Sequence, residues 1–282
     1  MCEYAKLWRD AAPRRGGLRA VLRSACRHAY LSLFAALDRS DEDRFLRCMY
    51  CHYVFDDQRE GFRTLMRKLM GSGTFVDTDT CIRMLRGESP IEGRCYHLSF
   101  DDGFRNCFTN ALPVLHELGI PALFFVPPGL IHGESDAERE RWMSATAYRA
   151  PIEILRWDDL EEMIARGYEV GSHTRRHVRL SAISDDPRRL EDEIAGSKAD
   201  LEERLGIECR YISWPYGRRR DVDRVSLEAV RRAGYHACFG GHRGTVRPGR
   251  TDAFRIPRHH FEVQWPVSHV QYFLRGRREA AG

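Results

Sequence analysis

Two short stretches of this sequence carry side chains that could bind a metal ion and leave one carboxylate free for catalysis. Residues 98–103 are an apolar run that leads into the adjacent Asp101 and Asp102. Residues 171–177 contain His173 and His177, two histidines four positions apart. Oxygen and nitrogen ligands with an open coordination position are typical of hydrolytic metal centres, whereas structural zinc sites are closed by a fourth ligand and are often rich in thiolates. The pattern therefore predicts a catalytic metal site.

Alternating strands and helices are predicted to carry these motifs. The predicted strands cover residues 50–55, 95–100, 122–126, 168–171, 211–214, 235–239 and 253–257. The predicted helices cover residues 58–70, 106–118, 157–165, 187–205 and 226–232. Repeated βα units with short connections predict a parallel sheet, either closed into a barrel or open. Residues 132–156 are charged and irregular, which predicts a long loop over the site.

Each candidate motif directly follows a predicted strand. This holds for Asp101 and Asp102, for His173 and His177, and for the Pro-Tyr-Gly of residues 215–217. In a parallel barrel, the loops at the C-terminal ends of the strands assemble the active site. We therefore expect the three motifs to lie on one rim.

Composition indicates a soluble protein with one large α/β domain. The 282 residues are 43% hydrophobic and 30% charged, and no run of about twenty apolar residues could span a bilayer. The first residues lack the apolar segment of a secretory signal, which predicts a cytoplasmic location. Nine cysteines show no paired framework. Cys48 and Cys51 form a C-x-x-C, which we interpret as small apolar residues beside a strand rather than a redox pair or half of a zinc site.

The positive charge is concentrated at the N-terminus. Residues 1–37 contain seven Lys or Arg against two acidic residues, a balance of +5 in a chain of net charge +4. From residue 18 the apolar residues follow a helical period, so we expect residues 1–45 to form a basic helical extension and 46–282 the catalytic domain. The helix could pack on the domain, which we favour, or lie on an anionic membrane surface. Nucleic acid is not expected, because the basic patch lacks interleaved aromatic residues.

The motifs together resemble the NodB-homology polysaccharide deacetylases, carbohydrate esterase family four. The resemblance runs from about residue 50 to the end of the chain. It rests on Ser-Phe-Asp-Asp-Gly at 99–103, Ser-His-Thr-Arg-Arg-His at 172–177 and Trp-Pro-Tyr-Gly at 214–217, with Phe-Arg-Ile-Pro-Arg at 254–258 as a looser match. It implies an α/β fold, a distorted (β/α)7-type barrel, here with an extra N-terminal helix.

The resemblance also implies roles for the metal-site residues. Asp102, His173 and His177 would be the metal ligands, and Asp101 would be the general base. The expected cofactor is a divalent metal ion, with Zn²⁺ favoured and Fe²⁺ or Co²⁺ as alternatives. Adjacent side chains at the end of an extended strand point in different directions, so one aspartate can face the metal while the other faces a water molecule.

The third motif is similar to the family's oxyanion-binding segment. The backbone N–H of Tyr216 would help hold the tetrahedral oxyanion, and Pro215 and Trp214 would contribute to substrate binding. Two residues before that proline, where the family often has an arginine that orients the base, this chain has Ser213. The later Ile-Pro-Arg segment implies that Arg258 takes this role.

The general acid is predicted to be a histidine near Arg258. Many relatives use a histidine in a late Leu-x-His motif, which this chain lacks after position 217. We favour His260, because alternation along a strand places it on the same side as Arg258. His242, His259 and His269 stay open as alternatives.

Other conspicuous rings are expected to be structural. We interpret His52 and His97 as buried, hydrogen-bonded core histidines. We expect Trp142, Trp157 and Trp265 to pack in the core or at the rim rather than to stack on a sugar.

The predicted function is metal-dependent hydrolysis of an N-acetyl group on an amino-sugar-containing substrate, with release of acetate. A glycan, a lipid-linked sugar, a nucleotide sugar or a glycosylated metabolite would all fit. Two alternatives stay open: an O-acetyl esterase or non-sugar amidohydrolase of the same superfamily, and a non-catalytic saccharide-binding protein. The last is disfavoured, because both aspartates and both histidines are present.

Overall fold

One parallel sheet organises the molecule, for which a computed structural model describes residues 4–12, 26, 29–33, 43–131 and 135–275. Its strands are β1 (Phe45–Cys51), β2 (Thr74–Phe75), β3 (Arg94–Phe100), β4 (Leu123–Val126), β5 (Glu169–Ser172), β6 (Tyr211–Ser213), β7 (Ala237–Phe239) and β8 (Arg258–His260). The order is β7-β6-β5-β4-β3-β1-β8, and β2 pairs with β3 off this path. Every pairing between strands is parallel.

The sheet curls into a nearly closed barrel. Ile256, just before β8, forms a parallel bridge with Phe239 of β7. The Ile256 N–H donates to the Cys238 carbonyl oxygen at 3.0 Å, and the Gly240 N–H donates to the Ile256 carbonyl oxygen at 2.8 Å. The other edge of β8 pairs with β1. The predicted α/β barrel is therefore confirmed, with the seven strands of the main path forming the ring.

Helices surround this ring and connect its strands. They are α1 (Trp8–Ala11), α2 (Arg59–Met70), α3 (Thr78–Arg86), α4 (Leu112–Leu118), α5 (Asp136–Ala145), α6 (Trp157–Ala165), α7 (Pro187–Glu191), α8 (Ser197–Leu205), α9 (Arg224–Arg232) and α10 (Val267–Leu274). Single π-helical turns, Cys107–Ala111 and Asp192–Gly196, precede α4 and α8. In the part of the chain that the structure describes, no helix has the length and apolar character needed to cross a membrane.

Three predictions about the elements were wrong in detail. The last strand is β8, not residues 253–257, because Pro257 cannot donate to a strand ladder and regular pairing resumes only after it. The first strand begins at Phe45 rather than at residue 50. Residues 132–156 were predicted as a loop, but α5 lies within them, with the Ser135 side chain accepting a hydrogen bond from Glu138 N–H.

The predicted N-terminal helix lies mostly outside the described residues. Residues 26 and 29–33 are helical. The remaining positions of that predicted helix are among those that the structure does not describe. The boundary between residues 45 and 46 stays a prediction.

Alternate residues of the strands pack on opposite sides of the sheet. Leu46 and Cys48 of β1 belong to a cluster with Leu123 and Phe125 of β4, whereas Phe45 and Met49 belong to the cluster that includes the surrounding helices. Because strand side chains alternate between faces, the first cluster fills the barrel interior.

Helix α3 closes the N-terminal end of the barrel. Cys81, Ile82 and Leu85 of this helix belong to the interior cluster. Its Asp79 side chain accepts a hydrogen bond of 2.6 Å from the hydroxyl of Tyr211, the first residue of β6. The C-terminal rim is thus the open end of the barrel.

Candidate active site

The predicted motifs meet at the C-terminal ends of neighbouring strands. Asp101 and Asp102 directly follow β3, and His173 directly follows β5. Pro215 and Tyr216 come shortly after β6. Because β3, β4, β5 and β6 are adjacent and parallel, these side chains share one rim, as the sequence predicts.

Asp102, His173 and His177 converge on one point. The Nε2 atoms of His173 and His177 lie 3.3 Å and 3.1 Å from Oδ1 of Asp102. His173 Nδ1 lies 2.8 Å from the Ser213 carbonyl oxygen, which can only accept, so Nδ1 carries a proton and Nε2 is the ring nitrogen that faces Asp102. This oxygen and nitrogen donor set fits a divalent metal ion.

The charge distribution of this site favours ionised carboxylates. Burial raises the pKa of Asp102, but the neighbouring histidines outweigh burial and hold it well below its usual range. Burial lowers the pKa of His173, but Asp101 and Asp102 outweigh it and raise the pKa above its usual value. A concentration of negative charge at this rim is what a bound cation would neutralise.

Four side-chain-bearing residues adopt the left-handed backbone region, and all four lie at this rim. Among the described non-glycine residues, positive φ angles occur only at Asp102 (72°), Thr174 (59°), His177 (56°) and Tyr216 (66°). Such conformations cost on the order of 1–3 kcal/mol each and persist where the surrounding structure enforces them. The fold therefore stabilises an unfavourable backbone in order to hold these side chains.

Arg258 holds Asp101 through a bidentate ion pair. Its Nη1 and Nη2 donate to the two carboxylate oxygens of Asp101 at 2.8 Å and 2.7 Å. The remaining three N–H groups donate to Ser99 Oγ at 2.9 Å, Ser213 Oγ at 2.6 Å and the Gly240 carbonyl oxygen at 2.7 Å. All five guanidinium donors are thus used, and the side chain is completely buried.

This pair keeps Asp101 ionised although it is buried. Burial raises the pKa of Asp101, but the charge and hydrogen bonds of Arg258 outweigh it, so the pKa lies below its usual value. Ser213 contributes to this arrangement, because its small hydroxyl side chain accepts a hydrogen bond of 2.6 Å from Arg258 Nη2.

The Pro-Tyr-Gly turn presents Tyr216 at the surface of the site. The residue is 55% exposed, and its ring lies 5.3 Å from the ring of His177 and under the guanidinium of Arg179 at 4.5 Å. Trp214, by contrast, is only 1% exposed and stacks on His242 at 6.0 Å. The Trp214 ring therefore lies in the core and not on a surface that a substrate could reach.

Two histidines lie together beside the metal-site residues. The ring of His260 lies 5.0 Å from the ring of His52, which follows β1 directly. Burial lowers the pKa of His52, and Asp102 is the group whose charge opposes this most. The interpretation of His52 as a core histidine is wrong in location, because it belongs to the rim.

The other candidate acids lie elsewhere. His259 is buried, with Nε2 at 3.1 Å from the Gly244 carbonyl oxygen. His269 is buried on α10, with Nε2 at 3.0 Å from Ser32 Oγ. Burial lowers the pKa of His242 to about 4, beside Trp214.

A cleft of about 500 Å³ opens directly over Asp102 and His177. Its wall is rich in aromatic rings and also includes polar side chains from the loop after β8. The lining residues other than these two are Trp8, Tyr53, Trp142, Ala145, Thr146, Ala147, Tyr148, Tyr216, Glu262, Gln264 and Trp265. Trp142 and Trp265, which we expected to be structural, thus face the cleft. The third, Trp157, packs under the guanidinium of Arg204 at 5.0 Å.

Part of this wall comes from the N-terminal segment. The ring of Trp8 stacks on Tyr53 with centroids 5.1 Å apart, and the backbone N–H of Trp8 donates to Asp57 Oδ1 at 2.9 Å. Backbone hydrogen bonds of 2.9 Å from Ala5 N–H to Pro151 and of 3.0 Å from Arg149 N–H to Ala11 anchor both sides of the segment. The sequence offered no signal for this docking, since α1 has only four residues.

These observations define the class of protein: an α/β barrel with a cluster of carboxylates and histidines at the C-terminal strand edge. The family model for polysaccharide deacetylases matches residues 89–238, more than half of the chain. The chain therefore belongs to the polysaccharide deacetylase family. It is also similar to YxkH of Bacillus subtilis (strain 168), which bears the name of a polysaccharide deacetylase, with 25% identity over 179 residues. That alignment covers 63% of this chain and 56% of YxkH, little more than half of the relative.

Solved structures share the fold. IcaB from Ammonifex degensii is 24% identical, with a TM-score of 0.64, over 82% of this chain and 97% of IcaB. The Streptococcus pyogenes deacetylase PplD, solved in complex with acetate, is 17% identical, with a TM-score of 0.65, over 83% of this chain and 99% of PplD. A de-N-acetylase from Aggregatibacter actinomycetemcomitans is 18% identical, with a TM-score of 0.65, over 81% of this chain and 99% of the de-N-acetylase. At these identities the likeness shows a common barrel.

Proposed function

We propose that this protein is a metal-dependent deacetylase that removes N-acetyl groups from an amino-sugar-containing substrate and releases acetate and a free amine. The convergence of Asp102, His173 and His177 on one point, with Asp101 held separately by Arg258, carries this proposal. Membership of the polysaccharide deacetylase family supports it. The names of two structural relatives, a de-N-acetylase and a deacetylase with bound acetate, support the acetyl group as the one removed.

Asp102, His173 and His177 would hold a divalent ion, with Zn²⁺ favoured and Fe²⁺ or Co²⁺ as alternatives. When bound, this ion would supply Lewis acidity toward a water molecule and the acetyl carbonyl oxygen. The Ser213 carbonyl oxygen, by accepting from His173 Nδ1, keeps the imidazole in the tautomer that can act as a ligand.

Asp101 would act as the general base. Arg258 occupies one lone pair on each of its carboxylate oxygens, so each oxygen retains capacity to accept a proton from the attacking water. Because Arg258 lowers the pKa of Asp101, the carboxylate is ionised and fixed in orientation before substrate arrives.

Tyr216 would contribute its backbone N–H to the developing oxyanion. Its left-handed φ of 66° sets the turn after β6, and Gly217 follows with a φ of 72°. Loss of one oxyanion donor typically costs about 2.7–4 kcal/mol of transition-state stabilisation. The predicted contribution of Pro215 to substrate binding stays a prediction; its ring also restricts the backbone immediately before Tyr216 and would help fix this turn.

The His52–His260 pair would supply the proton that the leaving nitrogen requires. His260 was favoured from the sequence, and His260 Nε2 lies 3.3 Å from Glu262 Oε1, which can orient the ring. His52 is the stronger candidate for direct transfer, because it directly follows Cys51, whose carbonyl oxygen accepts a hydrogen bond of 3.1 Å from the Asp101 N–H. We propose that His52 donates the proton and that His260 positions it.

The cleft suits an amino sugar. Aromatic rings such as Trp142 and Trp265 offer apolar faces to a pyranose ring, and Glu262 and Gln264 can bind its hydroxyl groups. A lipid-linked sugar, a nucleotide sugar, a glycan and a glycosylated metabolite all remain candidate substrates. Peripheral membrane contact through residues 1–37 also stays a prediction.

Acetate release by the purified full chain tests this proposal. The substrates would be N-acetylated glycans, nucleotide sugars and lipid-linked sugars, each matched with an O-acetylated counterpart, and zinc content would be measured on the same sample. Release from N-acetylated substrates only is the expected result. Release from O-acetylated substrates only would favour the esterase alternative, and zinc-loaded protein that releases no acetate from any substrate would contradict the proposal.

A further inference from the structure

A second group of metal-ligating side chains lies inside the barrel, away from the rim. Cys48 of β1, Cys81 of α3 and His97 of β3 place two sulfur atoms and one imidazole nitrogen within 4.8 Å of one another. Each residue is no more than 1% exposed. Cys48 and His97 are direct neighbours across the β1–β3 ladder, and α3 brings Cys81 against them.

The cluster differs from the C-x-x-C that the sequence displays. Cys51 packs on the outer side of β1 with the surrounding helices, whereas Cys48 belongs to the interior cluster. The partner of Cys48 is Cys81, 33 positions later, with the two sulfur atoms 3.6 Å apart. Spacing along the chain gives no hint of this pair.

The separation of the sulfur atoms suits a shared metal ion. With Zn–S bonds of about 2.3 Å and a tetrahedral angle, two thiolates on one zinc ion lie about 3.8 Å apart. The observed 3.6 Å between the sulfur atoms of Cys48 and Cys81 is close to this separation.

His97 has the features of a ligand with a supporting partner. Its Nε2 atom lies 3.2 Å from Thr78 Oγ1 on α3. Its Nδ1 atom is buried and has no hydrogen-bond partner among the described residues. Metal-binding histidines are typically oriented in this way, with one ring nitrogen held by a neighbour and the other left for the metal.

We propose that Cys48, Cys81 and His97 bind a thiophilic metal ion, with Zn²⁺ favoured, at a second site distinct from the rim. Binding of Zn²⁺ to the two thiols forms two Zn–S bonds and releases two protons, so two thiolates balance the charge of the ion in the apolar interior. The ion would join α3 to β1 and β3 and so hold the helix that closes the barrel. This inference does not depend on the proposed deacetylase activity.

The proposed metal ion would also stabilise the strands that carry the residues of the rim. Cys48 is the register partner of Arg258 in the β1–β8 ladder. Arg258 in turn holds Asp101. An ion at this position would therefore stabilise the strand pair that carries the base-orienting arginine.

Cobalt substitution of the full chain separates the two sites. The ligands at the rim contain no sulfur, so sulfur-to-cobalt charge-transfer absorption reports only the interior cluster. Because the cluster is enclosed, the protein would be expressed in zinc-depleted, cobalt-supplemented medium, so that the metal is incorporated during folding. The expected result is this absorption in the unmodified chain, its loss in Cys81→Ser and its retention in Cys209→Ser, a control at another buried thiol.

Zinc-grown protein gives the companion measurement. We expect one zinc equivalent that His173→Ala leaves in place and that Cys81→Ser removes. Absence of the charge-transfer absorption in folded, cobalt-grown protein would overturn the inference even if Cys81→Ser fails to fold. A Cys48–Cys81 disulfide found by non-reducing peptide mapping of freshly purified protein would overturn it as well, because a disulfide cannot supply two thiolates.

Discussion

At the scale of single residues, Arg258 decides the state of the candidate base. It is buried and donates two of its five N–H groups to Asp101. The other three donate to two serine hydroxyls and one carbonyl oxygen. Residues from β3, β6 and β8 contribute to this arrangement. Because these residues hold the Arg258 guanidinium against Asp101, the carboxylate can stay ionised without contact with bulk water.

Removal of the Arg258 charge should shift the pH dependence of the reaction. In Arg258→Met, burial of Asp101 loses the strongest charge that opposes it, so the pKa of Asp101 rises and the acid limb of kcat/KM moves to higher pH. We also expect kcat to fall on the order of 10²-fold, since general-base catalysis typically contributes about 10²–10⁴-fold. A pH–rate profile measures both effects.

Arg224→Met is the matched control, because Arg224 is an exposed arginine whose side chain is 87% accessible. Its profile should coincide with that of the unmodified protein. An acid limb that stays in place in Arg258→Met would show that this arginine does not set the ionisation of the base.

Replacement of the two rim histidines distinguishes donor from positioning residue. His52→Gln should lower kcat by about 10²-fold or more and remove the basic limb of the pH profile, because it removes the proton donor. His260→Gln should lower kcat less and leave a basic limb at a shifted pH, because His52 remains. Steady-state acetate release across pH checks this assignment, and the reverse ranking would make His260 the donor.

The sequence predicts these residues unequally. Asp101, Asp102, His173 and His177 stand in two compact motifs, so their types and spacing were sufficient to nominate them. His52 stands alone after β1, and only the pairing of β1 with β3 and β8 brings it to the rim.

At the scale of elements, two segments without a strong sequence pattern complete the rim: helix α5 and residues 4–12. Helix α5 has no fully buried residue, so no apolar period marks it as a helix. Its Trp142 nevertheless stacks on Phe104 at 5.6 Å and lies 5.3 Å from the ring of His177. Helix α2, by contrast, was predicted almost to the residue, because Phe62, Leu65, Met66 and Leu69 form a continuous buried face.

Docking of residues 4–12 beside the cleft should matter for substrate affinity. Trp8→Ala removes the ring that stacks on Tyr53, so we expect KM to rise roughly 2- to 10-fold with little change in kcat, in line with about 0.5–1.5 kcal/mol for an aromatic pair. Trp8→Phe should restore most of the affinity. Michaelis–Menten analysis of acetate release measures both variants, and an unchanged KM in Trp8→Ala would show that this wall does not contact substrate.

At the scale of the whole molecule, alternation of strands and helices made the barrel predictable. The parallel order and the shared rim follow from right-handed βα units, and family membership agrees with them. Closure of the ring was less accessible from sequence. It depends on Ile256 bridging Phe239 before Pro257 interrupts the ladder, so the last strand was predicted in the wrong place.

The central claim is that two adjacent carboxylates have different roles, with Asp102 as a metal ligand and Asp101 as the general base. The variants Asp101→Asn and Asp102→Asn test it most directly. Metal content and acetate release would be measured on the same purified samples. The account predicts that Asp101→Asn keeps its full metal content and loses turnover by at least about 10²-fold, whereas Asp102→Asn loses one metal equivalent together with activity. Retained acetate release in Asp101→Asn, or an undiminished metal content in Asp102→Asn, would contradict it.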